Sequence, residues 1–444
     1  MPQGFFLDEG AQHVTSPNTT AEQVAEWHRQ AMHALQQQRG ADAAAAWTRI
    51  LALSPADARA HAGLGRWAHA QGDLQRAAHH LTHAATASRG NSRPWIDVAL
   101  VHEQRGDAFA QEGALHQALK EDPQDLLALL MRAALYERTG RMAQAVDVYI
   151  AATMVAPPMA KLAPDLREPM AHAFALRQDH EQRLAAFVDQ ALEPALSQAA
   201  GEDLARFRLS VDILLGRKRR HDSQPMRYFV PQLMPVEFFD RSRFPWLAAM
   251  EAGTDRIRSE LLTVLQDNQD ITPYLQYAED QPVEQWAELN RNPRWSAYHL
   301  WKDGRPVAEH VARCPETALL LEATPRPHQP GRTPVAMFSL LKPKTVIPPH
   351  VGASNARLIC HLPLIVPPGC HFRVGNSVRE WVVGQAWVFD DTIEHEAHNT
   401  SDQLRAILIW DTWHPDLQPH ERVLISALNA ALNDFGGADA SFVA

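Results

Sequence analysis

The sequence predicts an α+β multidomain chain in which an N-terminal α-solenoid of repeats is followed by an antiparallel β domain. Three observations carry this. Helix-ending prolines Pro55, Pro123 and Pro157 are spaced by two periods and then one period of 34 residues, and Ser88-Arg89-Gly90 occupies the skipped position. From 333 to 413 the chain breaks instead into short apolar runs bounded by Pro, Gly and Asn, too close together for crossover helices, as in a sandwich or small barrel. Between these regions, aromatic and proline content rises after Arg217-Lys218-Arg219-Arg220-His221-Asp222-Ser223-Gln224-Pro225. The expected division is a tail at 1–20, a repeat array at 21–158, a helical bridge at 159–225 and the β domain at 226–444.

The repeat phase places unit starts near 24, 58, 92 and 126. The large residue at the fourth position then reads Trp27, His61, Trp95 and Leu129, and the small one at the eighth reads Ala31, Gly65, Ala99 and Ala133. The bulky residue at the twenty-fourth reads Trp47, Leu81, Leu115 and Tyr149. Small residues let paired helices approach, bulky ones fill the gap between units, and each unit buries its apolar face against the next. Turn signals at Arg39-Gly40, Gly72-Asp73, Gly106-Asp107 and Gly140-Arg141 separate the two helices of each unit. The pattern resembles the tetratricopeptide repeat, which implies a groove for a peptide or protein partner.

The bridge stays helical in pattern, as in Gln182 to Val188 and Leu204 to Val211, without a repeat match. The apolar runs of the β domain are Val335 to Leu341, Arg357 to Val366, His371 to Val374, Ala386 to Phe389 and Leu404 to Trp410, with Phe244 to Leu265 as a helical segment packed outside.

Composition narrows the function classes. At 45% apolar and 21% charged residues the chain reads as an ordinary globular protein rather than a disordered or collagen-like one. Its formal charge of -10 gives no basic excess for a nucleic-acid groove, and the Arg217 to Arg220 run reads as a solvated helix end. No window approaches the roughly 18 apolar residues that span a bilayer, so neither a membrane nor a nucleic acid is expected as a partner. Three cysteines, Cys314, Cys360 and Cys370, make a disulfide framework improbable and point to a reducing, cytoplasmic location.

With 23 histidines in the chain, only an arrangement has meaning. His350 follows the rigid approach Val346-Ile347-Pro348-Pro349, and His395 follows a strand with Glu394 and Glu396 beside it. Two histidines from separate strands of one small sheet can share a metal; His371, His398 and His414 are alternative ligands. Arg405 lies inside the apolar run Leu404 to Trp410, where a guanidinium is costly unless an anion such as a dicarboxylate meets it.

The run His350-Val351-Gly352-Ala353-Ser354-Asn355-Ala356-Arg357-Leu358-Ile359-Cys360-His361-Leu362, then Phe389-Asp390-Asp391-Thr392-Ile393-Glu394-His395-Glu396, Leu404-Arg405 and Asp411-Thr412-Trp413-His414-Pro415, resembles the aspartyl/asparaginyl β-hydroxylase family. The resemblance extends over about 226 to 420 and includes Phe244-Pro245-Trp246-Leu247 and Trp295-Ser296. It implies a double-stranded β-helix (jelly-roll) that uses Fe(II), 2-oxoglutarate and dioxygen. In that reading His350 and His395 are the iron ligands, and Gly352 stands where most such oxygenases have a carboxylate, with water taking the missing position. Arg405 and Ser339 hold the far carboxylate of 2-oxoglutarate and His361 lies near its other end. Family members from animals place an arginine where this chain has Ile359; Arg357, on the same strand face, stands in for it. Asp391 orients the His395 imidazole, and Trp295 is a substrate-pocket aromatic.

The implied activity is hydroxylation of a peptidyl side chain at an Asp/Asn-type β-carbon, with the repeats recruiting the substrate. Alternatives are a lipid A acyl-chain or small-molecule hydroxylase, or a non-catalytic repeat adaptor.

Overall fold

The computed structural model describes residues 17–267, 270–329 and 331–436. Most of the tail expected at 1–20 lies outside the described residues. The chain divides into two compact units, Met1–Glu202 and Asp203–Ala444, so the division falls within the stretch read as the bridge.

In the first unit, helices α1 (Pro17–Gln36), α2 (Gly40–Leu53), α3 (Ala58–Ala70), α4 (Leu74–Ala87), α5 (Arg93–Gln104), α6 (Ala108–Glu121), α7 (Leu126–Arg138) and α8 (Met142–Val155) each pack on the next. Local chemistry sets their ends. Gly72, Gly106 and Gly140 turn the chain at positive φ, a conformation in which a Cβ is strained. The carboxylates of Asp57, Asp73, Asp107 and Asp125 then accept from the backbone N–H of Ala60, Arg76, Ala110 and Ala128, capping α3, α4, α6 and α7. Such caps contribute about 1 kcal/mol each.

The small and bulky positions read from the sequence lie in the core. Ala31, Ala99 and Ala133 are fully buried, and Trp47, Leu81, Leu115 and Tyr149 are buried beside them. Gly63 lies so close under the Trp47 ring that a Cβ there would approach it to 2.4 Å. The array ends on α9 (Pro164–Gln198), of which Met170 and Ala173 are buried. The first unit is thus a tetratricopeptide-like helical array.

The second unit begins with α10 (Ala205–Leu214), α11 (Leu247–Ala252) and α12 (Thr254–Asp267), and is β-rich beyond them. Its strands are β1 (Thr272–Pro273), β2 (Trp295–Lys302), β3 (Arg305–Pro306), β4 (Ala336–Leu341), β5 (Thr345–His350), β6 (Arg357–Ile365), β7 (Cys370–Val374), β8 (Ser377–Glu380), β9 (Trp387–Phe389), β10 (His395–Asn399) and β11 (Arg405–Trp413). Helices α13 (Ala308–Arg313) and α14 (Pro315–Glu322) follow β3, and α15 (Pro419–Gly436) closes the unit.

Two antiparallel sheets result: a seven-stranded one in the order β1-β2-β4-β11-β6-β9, with β3 on β2, and a four-stranded one in the order β5-β10-β7-β8. Period-two alternation divides the residues of the large sheet between two cores. Phe338, Leu340, Leu358, Cys360, Leu362, Leu408 and Trp410 pack with Leu247, Ile257, Leu261 and Leu321 of the helices. Trp295, Leu341, Phe389 and Ile407 instead pack with Ile347, Phe372, Val374 and Ala397 of the small sheet. Residues 339, 357, 361 and 405 alternate with the helix-facing set, which puts them on the side of the small sheet.

Candidate active site

His350 ends β5 and His395 begins β10, and the antiparallel register sets them directly opposite each other. Their ring centroids are 4.0 Å apart. Each imidazole is held by a carbonyl two residues earlier in the chain: Nδ1 of His350 lies 2.7 Å from Pro348 O and Nδ1 of His395 lies 3.0 Å from Ile393 O. A carbonyl only accepts, so each Nδ1 carries the proton and each Nε2 keeps its lone pair. Burial, and then the proximity of His395, pushes the His350 pKa down to about 3, and burial pushes that of His395 down to about 4. The pair is neutral at physiological pH, as a metal requires of imidazole.

The carbonyl of Ile393, rather than the carboxylate of Asp391, is therefore the acceptor on His395 Nδ1. Asp391 is engaged elsewhere. Its Oδ2 accepts from Arg357 Nη2 at 3.3 Å, its backbone O accepts from Gly352 N–H at 2.6 Å, and its buried Oδ1 has no hydrogen-bond partner among the described residues. Burial raises its pKa, opposed by Arg357 and His350. Arg357 is thus committed to an ion pair with Asp391, with Asp411 as a further charged neighbour.

A second group of side chains converges around Arg405. This residue is 1% exposed, and its Nη1 reaches Ser339 O at 3.3 Å and Ser339 Oγ at 3.4 Å, both long contacts. The guanidinium carbon stands 5.0 Å from the centre of the Trp381 ring. Burial lowers the Arg405 pKa to about 10. His361 packs between Phe372 and Phe389, and burial, then Arg405, then His395 keep it neutral. Arg405 Nε, His361 Nδ1, Trp381 Nε1 and Trp387 Nε1 are all buried without a hydrogen-bond partner among the described residues. A buried cation and several unanswered nitrogens in one aromatic enclosure form a site suited to an anion.

Trp295 links the two groups. Its Nε1 donates to Ser339 Oγ at 3.3 Å, its ring stacks on Tyr274 at 4.2 Å, and it lies 6.4 Å from His350. Trp286 meets His350 edge-on at 5.1 Å. Sequence reading missed Trp286, Tyr274 and Trp381, whose surroundings carry no periodic signal, and read Trp387 only as part of the apolar run Ala386 to Phe389. Of the alternative ligands, His371 and His398 stack on each other at 4.4 Å, on positions alternating with the buried face of β7 and β10. His414 is packed edge-on against Phe239. Among the described residues no group of three or more His, Cys, Asp or Glu side chains forms a closed metal cage.

Two parts of the chain match known families. Residues 251–415 match the family described as aspartyl/asparaginyl beta-hydroxylase, and residues 28–92 and 99–158 match the tetratricopeptide repeat. This chain carries an aspartyl/asparaginyl beta-hydroxylase domain behind tetratricopeptide repeats. It is 36% identical over 141 residues to the human aspartyl/asparaginyl beta-hydroxylase, covering 32% of this chain and 18% of that one. It is 32% identical over 197 residues to the ornithine lipid ester-linked acyl 2-hydroxylase of Rhizobium tropici, covering 44% of this chain and 66% of that one. The chain thus spans less than a fifth of the human relative's length. Among solved structures the MamA protein aligns with 41% of this chain and 97% of its own, at 15% identity and a TM-score of 0.31. A hydroxylase is what the family of the second unit supports.

Proposed function

We propose that this chain is an Fe(II)- and 2-oxoglutarate-dependent dioxygenase that hydroxylates a peptidyl side chain at an Asp/Asn-type β-carbon, its β unit being a double-stranded β-helix and its repeats recruiting the peptide or protein. The observation that carries this reading is the His350–His395 pair, two opposed neutral imidazoles whose Nδ1 protons are fixed on carbonyls. His350 Nε2 and His395 Nε2 would hold the iron, and imidazole is a fitting ligand for it. Gly352 has no side chain to serve as a third protein ligand, so the two imidazoles alone would hold the metal. When bound, iron and 2-oxoglutarate supply the oxidising chemistry: with dioxygen, the keto-diacid goes to succinate and carbon dioxide while one oxygen atom enters a C–H bond of the substrate.

The chain's own groups then bind, orient and shield. Arg405, with Ser339 Oγ, would take the far carboxylate of 2-oxoglutarate; a charge-assisted bond there answers the unpartnered Nε. His361 closes the same enclosure from β6, in electrostatic contact with both Arg405 and His395. The aromatic walls from Trp295, Phe372, Trp381, Trp387 and Phe389 exclude water, which strengthens each of these electrostatic contacts. Trp295, bridging Ser339 and the histidine pair, is placed to border the substrate.

A peptide substrate is favoured by the repeats, which offer helical surface beyond what a small molecule needs. A lipid substrate is the second reading, favoured by the bacterial ornithine-lipid hydroxylase, of which the chain covers 66%. Among the described residues no helix is long and apolar enough to cross a membrane. Buried, unpaired Cys314, Cys360 and Cys370 fit the reducing cytoplasm proposed as its location. The test is to incubate the chain with Fe(II), 2-oxoglutarate and either an Asp/Asn-containing peptide library or ornithine-lipid vesicles, with mass analysis of both. The peptide reading predicts addition of one oxygen atom to peptides; oxygen on the lipid alone would select the second reading, and absence of dioxygen-dependent succinate in both would reject the oxygenase.

A further inference from the structure

Four imidazoles gather in the repeat array, in the first unit and outside the hydroxylase domain. His61 of α3 is buried, His80 of α4 is half-buried, and His79 and His83 of α4 are exposed. The rings form a continuous chain: His80 with His61 at 5.2 Å, His61 stacked on His83 at 4.8 Å, and His83 edge-on to His79 at 4.7 Å. Helical spacing explains the grouping, because positions 79, 80 and 83 share one side of α4 and His61 faces them from α3.

Two of the nitrogens are set as a donor pair. His61 Nε2 lies 2.9 Å from the carbonyl of Pro55 and must donate to it, so His61 Nδ1 bears the lone pair. That Nδ1 is 3.0 Å from His80 Nδ1. An imidazole whose far nitrogen donates to a backbone carbonyl is in the state in which metal-bound histidines are held. Two nitrogens about 2.1 Å from one ion and 3.0 Å from each other subtend about 90° at it, the angle of neighbouring positions in an octahedral or tetragonal site rather than a tetrahedral one.

We propose that His61 Nδ1 and His80 Nδ1 bind a divalent transition ion of tetragonal or octahedral preference, of the Ni(II) or Cu(II) class, with exposed His83 swinging in as a third nitrogen. Water fills the remaining positions, since no three donors already converge among the described residues. For His80 the binding requires a turn of the ring that aims Nδ1 at the ion and a tautomer change, the proton moving by way of solvent from Nδ1 to Nε2 with no change of charge. Burial and the neighbouring histidines already hold His80 neutral, with a pKa of about 4. Arg76, the nearby cation, is 3.8 Å from Asp73, which offsets its repulsion of an ion.

The test is equilibrium Ni(II) binding to the full chain carrying His350→Ala and His395→Ala, which removes the catalytic pair. One Ni(II) per chain is expected, weakened at least tenfold by His80→Gln, whose amide N–H can still donate to His61 Nδ1, and by a smaller factor by His83→Ala. In the native chain His80→Gln should weaken one Ni(II) site by the same factor while dioxygen-dependent succinate formation is unchanged. Cu(II) electron paramagnetic resonance should lose one coupled nitrogen with the same substitution. Ni(II) binding that His80→Gln leaves unaltered in both backgrounds would overturn the proposal, whatever the outcome for the oxygenase.

Discussion

The carboxylate of Asp391 fills the space that any side chain at Gly352 would need: a Cβ at Gly352 would lie 2.2 Å from the Asp391 carboxyl carbon. The position two residues after His350 is therefore closed to a ligating carboxylate by packing. Gly352→Asp is predicted to lower stability by roughly 1–3 kcal/mol, as overpacking does, and to lose turnover instead of gaining a third metal ligand. Adding Asp391→Ala should return part of the stability. Denaturant midpoints of the two variants check this; a Gly352→Asp chain as stable and active as the native one contradicts the packing account.

Asp391 also holds Arg357, in an ion pair with side-chain exposures of 8% and 19%. Asp391→Asn keeps the shape and removes the charge, so a cost on the order of 3 kcal/mol is expected from the stranded guanidinium. His395 should keep its Nδ1–H tautomer, because backbone carbonyls, that of Ile393 foremost, and not the Asp391 carboxylate, hold that proton. Nitrogen-15 chemical shifts of the ring report it directly, and a tautomer change in the variant would restore the orienting role to Asp391.

Among the described residues no carboxylate pairs with Arg405, so its replacement should be felt mainly by the cosubstrate. Arg405→Ala is predicted to raise the 2-oxoglutarate KM by about 10- to 100-fold, the range of one charge-assisted contact, with a smaller fall in kcat. Arg405→Lys should fall between, since it keeps the charge and loses the planar fork. An unchanged KM in Arg405→Ala would move the distal carboxylate elsewhere.

Stability of the metal-free chain should fall as pH drops from about 6.5 towards 4. His350 and His395 have folded-state pKa values near 3 and 4, against about 6.5 when unfolded. Across that window the unfolded chain binds more protons, so acid favours unfolding, and the contribution is fully present above pH 6.5. The His350→Ala, His395→Ala double variant should show a shallower dependence in urea titrations between pH 4 and 7. A slope identical to the native chain's would mean that the pair is not held neutral by burial.

The repeats were legible because their signals are local and repeated: Gly72, Gly106 and Gly140 recur at one phase, and buried Ala99 and Ala133 sit where the spacing puts them. The β unit was legible where strands are buried and apolar, as in β4, β6 and β11. It was not legible in β5, whose Pro348 and Pro349 argue against a strand until the sheet order places them on its edge. Nor was it legible in β10, where His395, Glu396, His398 and Asn399 leave Ala397 as the one apolar residue. Motif order located His350, His395 and Arg405 without fixing what each touches. Asp391 is the instructive case: sequence proximity paired it with His395, whereas the fold brings Arg357 to its carboxylate across 34 residues.

Whether His350 and His395 together hold a redox-active metal is read most directly from succinate formed from 2-oxoglutarate with added Fe(II), aerobically and anaerobically, in the native, His350→Ala and His395→Ala chains. Dioxygen-dependent succinate is expected in the native chain and at least a hundredfold less in either variant, with the fold retained. Native-level turnover in either variant would contradict that assignment.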